Sequence, residues 1–385
     1  MSELPVTVLD ALARARSPVC AYVYDTATLA GTADAVRAAM PGASILYAIK
    51  ANGHPSVIAA LAARLDGLEV ASGGELALAV HARAARIAFG GPAKTDAELT
   101  AAVGAIARGF DLTVNVESAH ELRRLALVAG GIRVPVALRV NRAGAGPAGS
   151  HRMTGVPTPF GIDESTLADA IAVARHRPEI DLVGFHLHAV SNNLDAVAHA
   201  AFLSDAIDWS RRTADRYGIN LREVNAGGGF GVDYTGGQRF DLTRLTGCAP
   251  GDVRLTVEPG RFLAAGAGWY AAEVIDLKHN HGRWFAVLRG GTHHFRLPAA
   301  WGYSHPFTVL PRDGWPYPFD RFEVRDADVD AVGELCTPRD VLTRGQRVPR
   351  LRIGDVLVFA NTGAYGWDIS HHSFLRHPAP EFLVV

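Results

Sequence analysis

The sequence predicts an α/β chain in which a (β/α)₈ barrel is followed by an all-β unit. Three observations carry this. Eight short β-rich runs lie between about residues 44 and 260, and Ala/Leu-rich segments with helical spacing separate them. Beyond about residue 266 the pattern changes to alternating runs broken by Gly, Pro and Asp.

The eight runs are SILYAIK (44–50), GLEVAS (67–72), RIAFG (86–90), DLTVNV (111–116), VPVALRV (134–140), DLVGFHLH (181–188), REVNAGGG (222–229) and RLTVEPG (254–260). Between them PSVIAALAARL, GELALAVHARA, SAHELRRLALVA and STLADAIAVARH have helical periodicity. Strict strand–helix alternation over this length is the barrel signature. The C-terminal runs GWYAAEVIDLKHN, RWFAVLRGG, FEVRDADV and DVLVFANTGAY read as strands of a separate unit, which the early strand CAYVYD also joins. The expected boundaries are a barrel over 26–265 and a β-domain from 1–25 and 266–385. The Gly/Pro-rich stretch NRAGAGPAGSHRMTGVPTPFG (141–161) reads as a mobile cover.

Composition narrows the function. The 385 residues suit two domains, or a large barrel with an appendage. A net charge of -1 and a pI near 7.0 disfavour a nucleic-acid or anionic-membrane surface. No run reaches the roughly 18 apolar residues of a membrane span. MSELPVTVLDALARARS lacks the apolar core of a secretory signal. Cys20, Cys248 and Cys336 are too widely spaced for a disulfide framework or a zinc site, so no metal is expected. A cytoplasmic protein is the expectation. Only three of the 38 basic residues are lysines, Lys50, Lys94 and Lys278, so lysine chemistry has three candidates.

Barrel chemistry sits at the C-terminal ends of strands. Those ends carry Lys50, Glu69, Asn115, Arg139, His186, His188, Gly227–Gly229 and Glu258. Lys50 is either a strand-end lysine facing water or a Schiff-base lysine, since desolvation at a barrel mouth favours the nucleophilic neutral amine. Asn225–Gly231 is either a flexible turn or a phosphate cradle of amides without Cβ atoms, with Arg261 of Glu258-Pro259-Gly260-Arg261 as a second phosphate contact. Glu258 suits the pyridine nitrogen of pyridoxal phosphate (PLP), because a carboxylate there keeps the ring protonated and electron-accepting. His188 is either a core histidine or a ring that lies on that cofactor, with Ser191 donating to its phosphate. Cys336 is either a buried hydrophobe or a reactive thiol, and Tyr365, in a Gly-flanked turn, suits a phosphate.

Together, YAIKAN (47–52), EVASGGEL (69–76), HAVS (188–191), GGGF (227–230), EPGR (258–261), GELC (333–336) and GAYG (363–366) resemble the fold-type III PLP-dependent decarboxylases, the group of ornithine, arginine and diaminopimelate decarboxylases. The resemblance covers about Ala21 to Glu381. It implies that Lys50 carries PLP, Glu258 pairs with the pyridine nitrogen and His188 stacks on the ring. It further implies that Ser191, Gly228, Gly229, Gly260, Arg261 and Tyr365 bind phosphate, and that Glu69 and Arg139 support the cofactor. Cys336 would act as proton donor from the partner subunit of a homodimer with shared active sites.

Departures from the family pattern concern the substrate. Members acting on basic amino acids usually place an acidic residue after the cysteine; here it is Thr337. The usual Gly of His-x-Gly-Ser is Val190, and the family's Asp is Glu69. His293, His294, Arg296, His305, His371 and His372 suggest a cationic, donor-rich pocket for extra carboxylates. With SNNLD (191–195) and GWDISHH (366–372), this is similar to the siderophore-biosynthesis branch, the staphyloferrin B-type decarboxylases of citryl-diaminopropionate. Arg296, Thr337, His371 and His372 are the substrate candidates. Decarboxylation of diaminopimelate or another free amino acid is the alternative. A racemase would place an arginine rather than Glu258 at the pyridine nitrogen, and a PLP carrier leaves the β-domain unexplained.

Overall fold

The computed structural model describes residues 4–144 and 146–385, in two compact units. One comprises the segment ending at Leu29 with Tyr234–Gly237 and Ala264–Val385; the other spans Ala30–Asp233 and Gln238–Leu263.

The second unit is the barrel. Its strands are Ser44–Ala48, Gly67–Val70, Arg86–Phe89, Asp111–Val116, Val134–Asn141, Ile180–His186, Glu223–Asn225 and Arg254–Val257. Each pairs in parallel with the next, and Arg254–Val257 closes the ring on Ser44–Ala48. All eight coincide with the runs read from the sequence. Their near-continuous burial follows from helices outside and packed side chains inside. Local chemistry starts the helices. The side chains of Ser72, Ser118 and Asp195 accept the amides of Glu75, Glu121 and Ala198, and Thr95 with Glu98 forms a capping box. Gly184 is required by close packing, since a Cβ there would lie 1.8 Å from the Glu223 carbonyl oxygen.

Arg86 and Glu223 open their strands, at the end away from the mouth. Both are buried and paired with each other; Arg86 also donates to Ser44 Oγ at 3.1 Å and Thr256 Oγ1 at 3.4 Å, and Thr256 donates to Glu223 at 2.8 Å. A buried charge pair therefore closes the barrel floor, which the hydrophobic pattern alone does not reveal.

The 141–161 stretch is more fixed than its composition suggests; within it residue 145 lies outside the described residues. The Ser150 and Met153 amides donate to the Ser191 and Ala189 carbonyls at 2.8 Å each. The Gly155 amide donates to Asn141 and the Gly161 amide to Glu117, also at 2.8 Å. These bonds pin a stretch that Gly and Pro content alone reads as loose.

In the other unit Gly268–Asn280 is the central strand, pairing antiparallel with Cys20–Tyr24, Arg283–Leu288 and Val356–Phe359. Glu381–Val384 lies parallel to Cys20–Tyr24, and Glu323–Val332 joins Arg283–Leu288 in parallel and Val341–Arg352 antiparallel. Helix Val6–Arg14 buries Val8, Ala11 and Leu12, at helical spacing, against Val19, Ala21, Val23, Trp269, Ala271, Val356 and Val358.

Three buried histidines make stability pH-dependent. Burial lowers His199 in the barrel to about 4, and His294 and His305 in the β unit to about 3 and about 4. A histidine whose folded pKa lies below its unfolded value binds its proton first in the unfolded chain. Stability then rises with pH through this window and is lost as pH falls from about 6.5 toward 4. Urea unfolding across this range should show a slope approaching about 1.4 kcal/mol per pH unit per histidine. His199→Phe should flatten it for the barrel; an unchanged slope would exclude His199.

Candidate active site

The mouth of the barrel gathers the strand-end residues. Lys50 lies in the Ile49–Ala51 turn directly after the first barrel strand, with Nζ 2.5 Å from Glu69 Oε2. The lysine side chain is 44 % exposed and Glu69 is buried. The amine lies in the turn that follows the strand and is held by this carboxylate.

Glu258 follows the last barrel strand and is buried. Asn225 Nδ2 donates to its Oε1 at 2.6 Å, and His186 Nε2 lies 3.6 Å from its Oε2. Burial first, and the nearby Glu69 charge second, push the Glu258 carboxyl up to about 8. Burial thus favours the protonated form of this acid. Both His186 ring nitrogens are buried without a hydrogen-bond partner among the described residues.

The glycine turn is built by the same groups. The Gly227 amide donates to Asn225 Oδ1 at 2.9 Å, and the Glu258 amide donates to the Gly227 carbonyl at 2.8 Å. The Gly228 amide donates to His188 Nδ1 at 3.1 Å, which fits a neutral ring with its proton on Nε2. Burial, then the positive charges of Arg139 and Lys50, hold His188 well below the usual range. A Cβ at Gly228 would lie 2.4 Å from the Glu258 carbonyl oxygen, and one at Gly260 2.9 Å from Ala51. Gly229, Gly260 and the buried Arg261 complete this side of the mouth, with Ser191 following His188. Arg139 is spent on Glu117, at 2.8 Å, and lies over the Phe160 ring at 4.8 Å. Lys94, which the sequence places in a loop, is buried and bound to Glu121 at 2.6 Å.

These residues fit PLP. An amine held by a carboxylate, a buried carboxyl of raised pKa, an imidazole that accepts an amide and a side-chain-free amide turn share one rim. When bound, PLP supplies an electron-accepting ring for α-bond cleavage.

The β unit holds the remaining candidates. Cys336 is exposed, which removes the buried-hydrophobe alternative. Its turn is fixed by the buried Asp340, which accepts the Leu335 amide at 2.8 Å and the Thr292 amide at 2.6 Å. Arg289 binds Glu334 at 2.5 Å. Tyr365 takes a left-handed conformation (φ 53°) in its Gly-flanked turn. Arg296, Thr337 and His371 line a cavity of about 790 Å³. His372 is absent from that lining; its ring stacks on Trp367 with centroids 3.5 Å apart.

The expected cationic histidine pocket is corrected. His293, His294 and His305 are buried in the unit's core, and burial keeps His294 and His305 neutral. Arg339 and Arg344, which composition and motifs did not single out, line the cavity instead. The one sequence signal was an arginine in Thr337-Pro338-Arg339-Asp340, where the family's acid after the cysteine is replaced.

A parallel barrel with this rim, followed by a β unit, defines a PLP-dependent enzyme of the decarboxylase class. The family described as "Pyridoxal-dependent decarboxylase, pyridoxal binding domain" matches residues 27–265, and the chain belongs to it. The chain is 39 % identical to the Staphylococcus aureus 2-[(L-alanin-3-ylcarbamoyl)methyl]-2-hydroxybutanedioate decarboxylase, over 98 % of this chain and 96 % of that protein. It is 33 % identical to the Niallia circulans L-glutamyl-[BtrI acyl-carrier protein] decarboxylase, over 82 % of this chain and 76 % of that one. Among solved structures, Helicobacter pylori diaminopimelate decarboxylase complexed with L-lysine superposes with a TM-score of 0.83 at 25 % identity, covering 98 % of this chain and 94 % of that one.

Proposed function

We propose that this enzyme removes the α-carboxylate of a citrate-conjugated diamino acid, citryl-2,3-diaminopropionate, to leave citryl-ethylenediamine for siderophore assembly. The observation that carries the reading is the cavity beside Cys336. It presents Arg296 and Thr337 where an enzyme for a distal ammonium needs an acid. The S. aureus relative, named for a substrate with a hydroxybutanedioate head, supports it.

Each residue then has a task. Lys50 binds the cofactor and Glu69 holds its amine. Glu258 would pair with the pyridine nitrogen of bound PLP and keep the ring protonated. His188 would lie against the ring of bound PLP, and Arg139 with Glu117 stiffens the rim. Ser191, Gly228, Gly229, Gly260, Arg261 and Tyr365 hold phosphate. Arg296, Thr337 and His371 face the remote end of the substrate, and His372, stacked on Trp367, borders them. Cys336 returns a proton to the α-carbon from the partner subunit of a homodimer.

A substrate panel followed by CO₂ release tests the function. The conjugate should exceed free diaminopimelate and ornithine in kcat/KM; the reverse order refutes the proposal and favours the diaminopimelate reading. Cys336→Ala should lower turnover roughly 10²-fold or more, within the range for losing a positioned proton donor, and divert some substrate to a carbonyl by-product. Unchanged rate and product would remove Cys336 from the chemistry.

A further inference from the structure

The cavity of the β unit contains two arginines that the proposed chemistry leaves without a role. We propose that Arg339 and Arg344 are specificity residues that hold a second carboxylate, so that with Arg296 the cavity accepts a dicarboxylate head. This rests on the reading that the cavity receives the end of the substrate remote from the α-carbon.

Three chain segments deliver the guanidinium groups. Arg296 precedes the short helix Leu297–Trp301, Arg339 lies in the turn after Cys336, and Arg344 is on the strand Val341–Arg352. Among the described residues none of the three has a carboxylate within ion-pair distance, and no Asp or Glu lines the cavity. The contrast on one strand is direct: Arg347 faces Asp328, Arg350 is bound to Glu323 and Arg352 to Asp355, whereas Arg344 is left for the cavity.

Among the described residues the nearest acid in sequence, Asp340, makes no ion pair with the arginines. Asp340 is 2 % exposed, and both of its oxygens accept backbone amides. Backbone bonds also fix where the arginines start. The Arg344 amide donates to Ser304 Oγ at 3.1 Å, the Arg339 amide to Thr337 Oγ1 at 3.3 Å and the Arg296 amide to Ser370 Oγ at 3.0 Å. Burial, then the Arg296 charge, lower the His371 pKa.

Three guanidiniums around about 790 Å³ suit two carboxylates and exclude an ammonium group. Planar guanidinium forks bind carboxylates in pairs of hydrogen bonds, so replacement by lysine keeps the charge and loses the geometry. One arginine is enough for a monocarboxylate end; the second and third are explained by a second carboxylate.

The test compares holoenzyme with Arg339→Gln, Arg344→Gln and Arg344→Lys, each first shown to keep the parent melting temperature. The substrates are citryl-2,3-diaminopropionate and an analogue whose head bears one carboxylate. Each Gln variant should raise KM for the conjugate roughly ten- to a hundred-fold, the range of a charged hydrogen bond. kcat should fall much less, discrimination against the monocarboxylate should shrink, and the Lys variant should recover part of the loss. Unchanged discrimination in both Gln variants overturns the inference while leaving the proposed function intact. If the conjugate is not a substrate but citrate binds the holoenzyme in calorimetry and the Gln variants lose it, the function falls and the dicarboxylate cavity stands. If only a carrier-protein-linked amino acid is decarboxylated and the Gln variants weaken that carrier's binding, the arginines read an acidic protein and the inference is overturned.

Discussion

Lys50→Ala should reduce turnover by roughly 10³-fold or more, as expected when the covalent residue of a catalytic unit is removed. It should also abolish the visible absorption of lysine-bound cofactor. The other lysines have no access to this role. Lys94 is buried, paired with Glu121 and donating to the Gly91 and Asn115 carbonyls at 2.7 and 2.9 Å. Lys278 belongs to the β unit and lies 3.3 Å from Asp276. Spectra of purified variants decide the matter: a band that survives in Lys50→Ala and disappears in a Lys94 variant transfers the role. An added alkyl amine should restore part of the turnover of Lys50→Ala if the missing group is the amine alone.

Glu223→Ala should destabilise the barrel by about 3–5 kcal/mol, the usual cost of leaving one member of a buried ion pair alone. The guanidinium of Arg86 would then remain inside with the Ser44 and Thr256 hydroxyls, which carry no charge, and with the more exposed Asp111 carboxylate 3.8 Å from its Nε. The paired replacement Arg86→Met with Glu223→Leu removes both charges and should cost much less, because an apolar pair of similar volume does not need solvation. Urea unfolding of the single and double variants measures the difference. Equal losses in both would show that the floor depends on shape rather than charge balance.

The barrel was legible because its signals are local. Alternation of strand and helix needs only neighbours a few residues apart, and Thr95 with Glu98 announces a helix start in four residues. The rim was legible for a related reason. In a closed parallel barrel every strand ends at the same mouth, so Lys50, Glu69, His188, Gly228 and Glu258 had to meet once the strands were identified.

Other features depend on partners far away in the chain. Arg86 and Glu223 are 137 residues apart, and nothing near either marks it as buried. The 141–161 stretch looks loose in composition and is pinned by Glu117, Ala189 and Ser191. His293, His294 and His305 look like cations for an acidic substrate, yet all three are buried in the core, and burial lowers His294 and His305. Arg339 and Arg344 look ordinary in a chain of 35 arginines; among the described residues, what sets them apart is that no acid lines their cavity or pairs with them.

By itself the sequence determined the order of strands and helices, the family and the residues at the barrel mouth, because periodicity and strand-end position are properties of short segments. Tertiary structure alone decided which charges are paired, which histidines stay neutral and which arginines face an open cavity. Burial and electrostatic environment are sums over groups distant in sequence, so they exist only once the chain has folded.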